Sequence, residues 1–182
     1  AASTITNAIN SNITVESGNL TIAALTTDID SDSSLNVSGG EVTVNNAISG
    51  NIQNNVSNVE INVSGGTLNS ADISNSDITV NGILNVIGDI LNGELNNRGE
   101  VNLNKADTTL SASVAGNGNI NKTGGNLELT NTSNDNFEGN LNVAQGNLTF
   151  NQDAMLNSAA NINLDNSVFN FALTNAENIS LT

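Results

Sequence analysis

The sequence predicts an all-β fold, a right-handed parallel β-helix of about eight coils that forms one segment over residues 1–182. Three observations lead to this prediction. Short strands alternate apolar and polar residues, Gly and Asn stand between the strands, and the same apolar positions recur at a nearly fixed step. A step of about 20 residues is typical of a solenoid, in which each coil stacks on the previous one.

The C-terminal half contains the most regular repeat, which begins within residues 116–150. Each unit has one strand, a Gly corner and a second strand, as in the passage from Ile120 through Gly124 and Gly125 to Leu127. Three apolar positions recur at one constant step: Ile120, Leu141 and Ile162; Leu127, Leu148 and Phe169; Leu129, Phe150 and Phe171. A further strand is expected at Ile179-Ser180-Leu181.

A second repeat, whose step is longer by one position, lies near the N-terminus. Four apolar residues recur there: Ile13, Val15, Leu20 and Ile22 correspond to Leu35, Val37, Val42 and Val44. A third coil with Ile61 and Leu68 follows after a still longer step, which leaves room for the Asn-rich residues 51–58. Between residues 70 and 115 strands are visible, but the pattern does not assign them to coils.

Stacked coils would place like side chains in columns on the outside of the rod. In each strand the flanking aliphatic residues point inward and the middle residue points outward. Amides stacked about 4.8 Å apart can hydrogen-bond along the rod as an Asn ladder. The predicted first-strand column is Thr14, Asn36, Asn62, Asn102, Asn121, Asn142 and Asn163, and the second is Thr21, Thr43, Glu128, Thr149 and Asn170.

The composition narrows the classes of partner. The formal net charge is −15 at pH 7, from 3 Lys and Arg against 18 Asp and Glu, so nucleic acid and anionic membrane surfaces would be repelled. Aromatic residues make up only 2% of the chain, which argues against the stacking platforms of many glycan-binding pockets. Protein partners, including a second copy of the chain, therefore rank above sugars.

One acidic motif is a candidate metal site. Asp28, Asp30 and Asp32 alternate like the opening of a calcium-binding loop. The Gly and Glu that an EF-hand loop requires are replaced by Ser33 and Gly39. We therefore expect a solvated acidic turn, with weak Ca²⁺ binding as the alternative and no other cofactor.

Catalytic chemistry is restricted by the residues that the chain lacks. Without His or Cys, the usual metal-hydrolase and nucleophile–base sites are unavailable. Polysaccharide lyases and glycosidases also occur as β-helices, but a lyase needs a base and cations for its acidic sugar. The cations are Arg98, Lys105 and Lys122, of which the first two lie near Glu94, Glu100 and Asp107. The sequence predicts no catalytic residues, with a carbohydrate-active enzyme as the alternative.

Residues 116–150 resemble the passenger-associated repeat of bacterial autotransporters. The pattern of that repeat is matched by Gly116, Gly118, Ile120, Lys122, Gly124, Leu127, Leu129, Asn136, Phe137, Gly139, Val143, Gly146 and Leu148. Two departures are small. Thr130-Asn131 stands where Gly is usual, and Phe137 replaces the commoner Tyr.

The resemblance implies a segment of a longer protein, secreted or displayed on the bacterial surface and anchored in the outer membrane by a C-terminal translocator barrel. The exposed Asn and Thr columns, for their part, predict an adhesin or adhesive stalk whose partner is a second copy, a host-surface protein or a glycan. The candidate binding residues are the exposed amides and hydroxyls Asn36, Asn62, Asn102, Asn121, Asn142, Asn163, Thr43 and Thr149. A purely structural spacer remains an alternative function.

Overall fold

A computed structural model describes residues 2–53, 56–134, 136–151, 156 and 159–172. The strand expected at Ile179-Ser180-Leu181 lies outside these ranges. The described regular elements are all strands, so no helix among these residues could cross a membrane. The strands are β1 (Ala2–Ile5), β2 (Ala8–Ile9), β3 (Asn12–Val15), β4 (Asn19–Ile22), β5 (Leu25–Thr26), β6 (Ser33–Val37), β7 (Glu41–Ser49), β8 (Ile52–Gln53), β9 (Val56–Ser57), β10 (Val59–Val63), β11 (Thr67–Val80), β12 (Ile83–Val86), β13 (Ile90–Asn97), β14 (Glu100–Leu103), β15 (Asp107–Leu110), β16 (Ser113–Gly116), β17 (Asn119–Lys122), β18 (Asn126–Leu129), β19 (Asn136–Phe137), β20 (Asn140–Val143), β21 (Gly146–Asn151), β22 (Asn161–Leu164) and β23 (Ser167–Ala172).

The strands form a parallel β-solenoid with three sides, which confirms the predicted fold class. Side A contains β3, β6, β10, residues 76–80, residues 94–97, β16 and β19. Side B contains β1, β4, residues 41–44, residues 67–70, β12, β14, β17, β20 and β22. Side C contains β2, β5, residues 47–49, residues 72–74, residues 90–91, β15, β18, β21 and β23.

The chain passes through sides A, B and C in that order, and about seven coils have all three strands within the described residues. This number is close to the eight predicted. Both repeats found in the sequence are confirmed as registers. Ile13 pairs with Leu35 and Leu20 with Val42, as the N-terminal repeat predicts, and Leu127 pairs with Leu148, as the C-terminal repeat predicts.

The middle of the chain has shorter coils, which explains why its pattern was hard to assign. Leu68, Leu84 and Val101 are successive partners on side B, so each coil there is several positions shorter than the coils of either repeat. In this region β11 runs through all three sides as one strand of 14 residues. Because the corners here contain no loops, each coil uses fewer residues. A search for the period of either the N-terminal or the C-terminal repeat therefore misses these coils.

The long step between Leu35 and Ile61 contains an antiparallel hairpin, formed by β8 and β9. The backbone N–H of Asn58 donates to the carbonyl of Asn51 across its base at 3.0 Å. The Asn58 side chain donates to the carbonyls of Asp28 and Ser31 at 2.7 and 2.9 Å. The insertion is thereby attached to the acidic loop of the preceding coil, at the corner between sides C and A.

The core is a stack of aliphatic side chains, one layer per coil. Leu35, Ile61, Leu84, Leu127 and Leu148 are completely buried, and all occupy inward positions of their strands. Because the strands are parallel and the apolar positions recur in register, each core residue packs on its equivalents above and below. Stability therefore depends on contacts between neighbouring coils rather than on one central core.

Glycines form the corner between sides A and B. An added Cβ at Gly139 would lie 2.0 Å from the carbonyl oxygen of Gly118, so the stacked backbones leave no room for a side chain. The carbonyls of these glycines accept the N–H groups of the next coil at 2.9 to 3.1 Å. The members of this stack are Gly18, Gly40, Gly66, Gly82, Gly99, Gly118 and Gly139.

One predicted register is wrong. The single first-strand column combines residues of two sides, because the strand–corner–strand unit spans sides A and B near the N-terminus but sides B and C from residue 100 onward. Thr14, Asn36 and Asn62 pair on side A. The members on side B are Asn102, Asn121, Asn142 and Asn163. The second column divides in the same way, with Thr21 and Thr43 on side B and Glu128, Thr149 and Asn170 on side C.

Candidate functional site

Side B presents a regular polar surface, which we call the side-B face. In each of its strands the first and third residues point outward, and the residue after the strand continues this row. The row of β14 is Glu100, Asn102 and Asn104, and the row of β17 is Asn119, Asn121 and Thr123. Parallel pairing in register repeats these rows along the rod, so that the face consists of three columns.

The central column of the side-B face is a continuous ladder of hydrogen-bonded amides. Each Asn Nδ2 donates to the Oδ1 of the Asn one coil earlier, at distances of 2.8 to 2.9 Å. The first amide donates instead to the Glu41 carboxylate at 2.7 Å. The members of this amide ladder are Asn69, Asn85, Asn102, Asn121, Asn142 and Asn163.

The amide ladder retains hydrogen-bonding capacity. A primary amide has two N–H donors and two acceptor lone pairs, and each inner ladder residue uses one of each within the column. Asn121, for example, donates to Asn102 at 2.9 Å and accepts from Asn142 at 2.8 Å. Asn102 uses its second donor on Glu100 at 2.8 Å. The donors and acceptors that remain on the other inner residues can bind a surface with paired donors and acceptors, including an identical one.

The eight residues predicted to form a binding face lie on three different sides. Asn36 and Asn62 are on side A, where they are in register but their amides are not bonded to each other. Thr149 is on side C. The structure brings together the other five on side B, namely Thr43, Asn102, Asn121, Asn142 and Asn163.

Two ladder residues, Asn69 and Asn85, are absent from the predicted set. They occur in Leu68-Asn69 and Leu84-Asn85, the same dipeptide that recurs at Leu141-Asn142. The steps from Asn69 to Asn85 and from Asn85 to Asn102 are both shorter than those of the two predicted repeats, and the pairing confirms both. A search for the Leu-Asn dipeptide without a fixed period could have found them.

The three sides differ in charge. On side A, Glu60, Asp77 and Glu94 are exposed and stack in register on three successive strands. On side B, Glu41 and Glu100 accept hydrogen bonds from ladder amides at 2.7 and 2.8 Å. Side A therefore concentrates unpaired negative charge, whereas the central column of side B is neutral.

The acidic motif forms a turn on the surface. Asp28, Asp30 and Asp32 are all exposed, and Asp28 accepts a hydrogen bond from the Asn10 amide at 2.9 Å. Among the residues that the structure describes, no three acidic side chains converge as metal ligands would. Weak Ca²⁺ binding by this turn stays a prediction.

Asp89, rather than Glu94, Glu100 or Asp107, is the direct ion-pair partner of Lys105. The other carboxylate oxygen of Asp89 accepts the backbone N–H of Thr109 at 2.7 Å. The hydrogen bond from Lys105 to Asp89 raises the pKa of Lys105 above its ordinary value. Arg98 is exposed at the corner between sides A and B.

Lys122 is a buried cation inside the coil. Its side chain is only 1% exposed and occupies an inward position, in register with Leu103 and Val143 of the adjacent coils. The Nζ atom donates to the carbonyls of Lys105 at 2.6 Å and Ala106 at 3.2 Å, and also to the carbonyl of Gly124. Desolvation lowers the pKa of Lys122, and the negative charge of Asp107 opposes part of that shift.

We expect Lys122→Leu to lower the free energy of unfolding by about 2 to 4 kcal/mol, because it leaves three carbonyl oxygens without this donor. Lys105→Leu is the matched control, since a surface ion pair contributes at most about 1 kcal/mol. Urea denaturation of both variants measures the difference. A Lys122→Leu variant at least as stable as the wild-type chain would mean that desolvation of the ammonium outweighs its hydrogen bonds.

Shallow grooves occur on sides A and B. The groove on side B has a volume of about 460 Å³ and lies beside the amide ladder, where Asn45, Asn85, Ile87 and Asn104 contribute to its lining. A second groove of about 460 Å³ lies near side A, and Asp77 and Glu94 line it. The first groove extends the side-B face, and the second adds to the negative charge of side A.

Comparison with known proteins gives no relative for this chain. No protein-family model, curated protein or solved structure matches it.

Proposed function

We propose that this chain is a non-enzymatic passenger segment of an autotransporter-type surface protein and acts as an adhesive stalk outside the cell. In this proposal the side-B face binds a second copy in preference to a host protein or glycan. The amide ladder is the observation on which the proposal rests, because its remaining donors and acceptors are complementary to the amides and hydroxyls in the central column of a second copy. The resemblance of residues 116–150 to passenger repeats supports the location.

Charge favours side B over side A as the contact surface. Two chains of net charge −15 repel each other, so contact requires a surface where carboxylates do not meet. Side A would bring Glu60, Asp77 and Glu94 against the same residues of the partner. On side B the central column is made of neutral amides and Thr hydroxyls, and association should therefore become stronger with salt as the long-range repulsion is screened.

Adding charge to the side-B face tests the proposal. The double variant Asn104→Glu and Thr123→Glu changes two outward residues at the edge of that face. We expect it to abolish association, because each carboxylate would be desolvated against the facing copy without a partner. Light scattering of the purified chain and aggregation of cells that display it are the measurements.

The matched control adds the same charge to side A. Thr14→Glu and Thr79→Glu change outward residues of that side, and we expect association at the wild-type level. Equal loss in both double variants would point to net charge rather than to the side-B face. A wild-type chain that stays monomeric at every concentration and salt would contradict self-association.

The two alternatives have different experimental outcomes. A structural spacer would bind neither itself nor host surfaces in either assay. A carbohydrate-active enzyme would release sugars from a polymer such as pectin, and the groove lined by Asp77 and Glu94 is where a carboxylate pair could act. Loss of turnover in Glu94→Gln would support that alternative.

A further inference from the structure

The side-B face contains one row that differs from all the others. The row of β12 consists of Ile83 and Asn85 within the strand and Ile87 directly after it, so two large apolar side chains flank a ladder amide. Ile83 is 38% exposed and Ile87 is 64% exposed. In the other described rows of this face, the same positions hold Asn, Glu, Thr, Asp or Ala.

We propose that the β12 row fixes the register of an antiparallel pair of chains, with Ile83 against the Ile83 of a second copy and Ile87 against its Ile87. This inference rests on the proposed self-association. Stalks that project from two facing cells run in opposite directions. A two-fold axis parallel to the strands produces that arrangement. If the axis passes through the β12 row, each residue of that row faces the same residue of the second copy.

Charge selects this register over its neighbours. With the axis at β12, Glu100 faces Thr67 of the second copy, and Glu41 faces Asn119. A slip of one coil in one direction would bring Glu41 against Glu100, and a slip in the other direction would bring Glu100 against Ile83. Like-charge contact and a carboxylate on an apolar side chain are both unfavourable, so the β12 register avoids both costs.

The size of the face predicts a weak contact. Side B has nine strands about 4.8 Å apart, and each row of the face is about five residues long. These dimensions give the face an area of roughly 500 Å² per copy. A standard stable interface buries roughly 800 Å² per partner. A single pair should therefore dissociate readily. Many pairs between two cells would provide avidity.

Cross-linking tests the register directly, because the chain has no Cys and each introduced thiol is unique. Facing sheets lie about 10 Å apart, too far for a direct disulfide, so a short bis-maleimide is the probe. We expect Ile83→Cys alone to give a cross-linked dimer. The matched control Thr79→Cys, which lies on side A of the same region, should give none.

The parallel arrangement makes a different prediction. It would place Ile83 of one copy against Ile87 of the other, so a mixture of Ile83→Cys and Ile87→Cys chains would cross-link and neither variant alone would do so. Association with that pattern, or without any cross-link at residue 83, would overturn the inferred register and leave self-association standing. Absence of association by light scattering would reject the proposed function itself.

A second variant measures the contribution of the apolar row. Ile83→Ser with Ile87→Ser leaves the amide ladder in place, and both side chains are exposed, so the fold should be retained. We expect the association constant to fall by about tenfold, since apolar area on both copies would no longer be buried. An unchanged constant would show that these residues do not lie in the contact.

Discussion

Leu148→Asp should cause one of the largest losses of stability available in this chain. The Leu148 side chain is fully buried and is stacked in register between Leu127 and Phe169. A carboxylate there would be desolvated in a layer where its neighbours are apolar. The expected decrease in the free energy of unfolding is about 4 to 6 kcal/mol, from lost apolar burial and the buried charge together.

The loss should be local, because a solenoid is stabilised by contacts between neighbouring coils. Hydrogen exchange should therefore become fast in β18, β21 and β23, while β10 and β12 keep their protection. Val168→Asp is the matched control. It also replaces an apolar residue by Asp on side C, but Val168 is 57% exposed. If both variants melted at the wild-type temperature, the one-layer core would be an incorrect description.

The fold was largely predictable because residues that pair between neighbouring coils of a solenoid recur in the sequence at a regular step. Ile13 with Leu35 and Leu127 with Leu148 are both recognisable from spacing alone, and both are true partners. The assignment of strands to sides was not predictable in the same way. A Gly corner looks the same whether it joins sides A and B, as at Gly40, or sides B and C, as at Gly125.

The sequence predicted the chemistry of the candidate site, a ladder of Asn side chains, but not all of the residues that form it. Stacked Asn side chains at strand centres were expected to form a ladder, and the amides from Asn102 to Asn163 do so. Asn69 and Asn85 were missed because coil length changes between residues 68 and 101. The buried position of Lys122 could not be inferred from its charge, since its partners are carbonyls of a corner formed by two coils.

Gly125→Ala tests how closely successive coils approach at the corner between sides B and C. Gly125 has a φ of +74°, and an added Cβ would lie 1.5 Å from the carbonyl oxygen of Ala106 in the preceding coil. The substitution combines left-handed backbone strain with a clash against backbone that cannot rotate away. We expect the free energy of unfolding to fall by about 3 kcal/mol or more.

The adjacent glycine is the control for this prediction. An added Cβ at Gly124 meets no atom within 4 Å, and Gly124 is not among the residues with positive φ. Gly124→Ala should therefore be neutral or stabilise by up to about 1 kcal/mol, because it restricts only the unfolded chain. Gly124 and Gly125 are adjacent and receive the same substitution. The difference between the two variants in the free energy of unfolding, measured by urea denaturation, therefore isolates the contact between coils. Equal stability of the two variants would mean that the coils at this corner lie further apart than the structure places them.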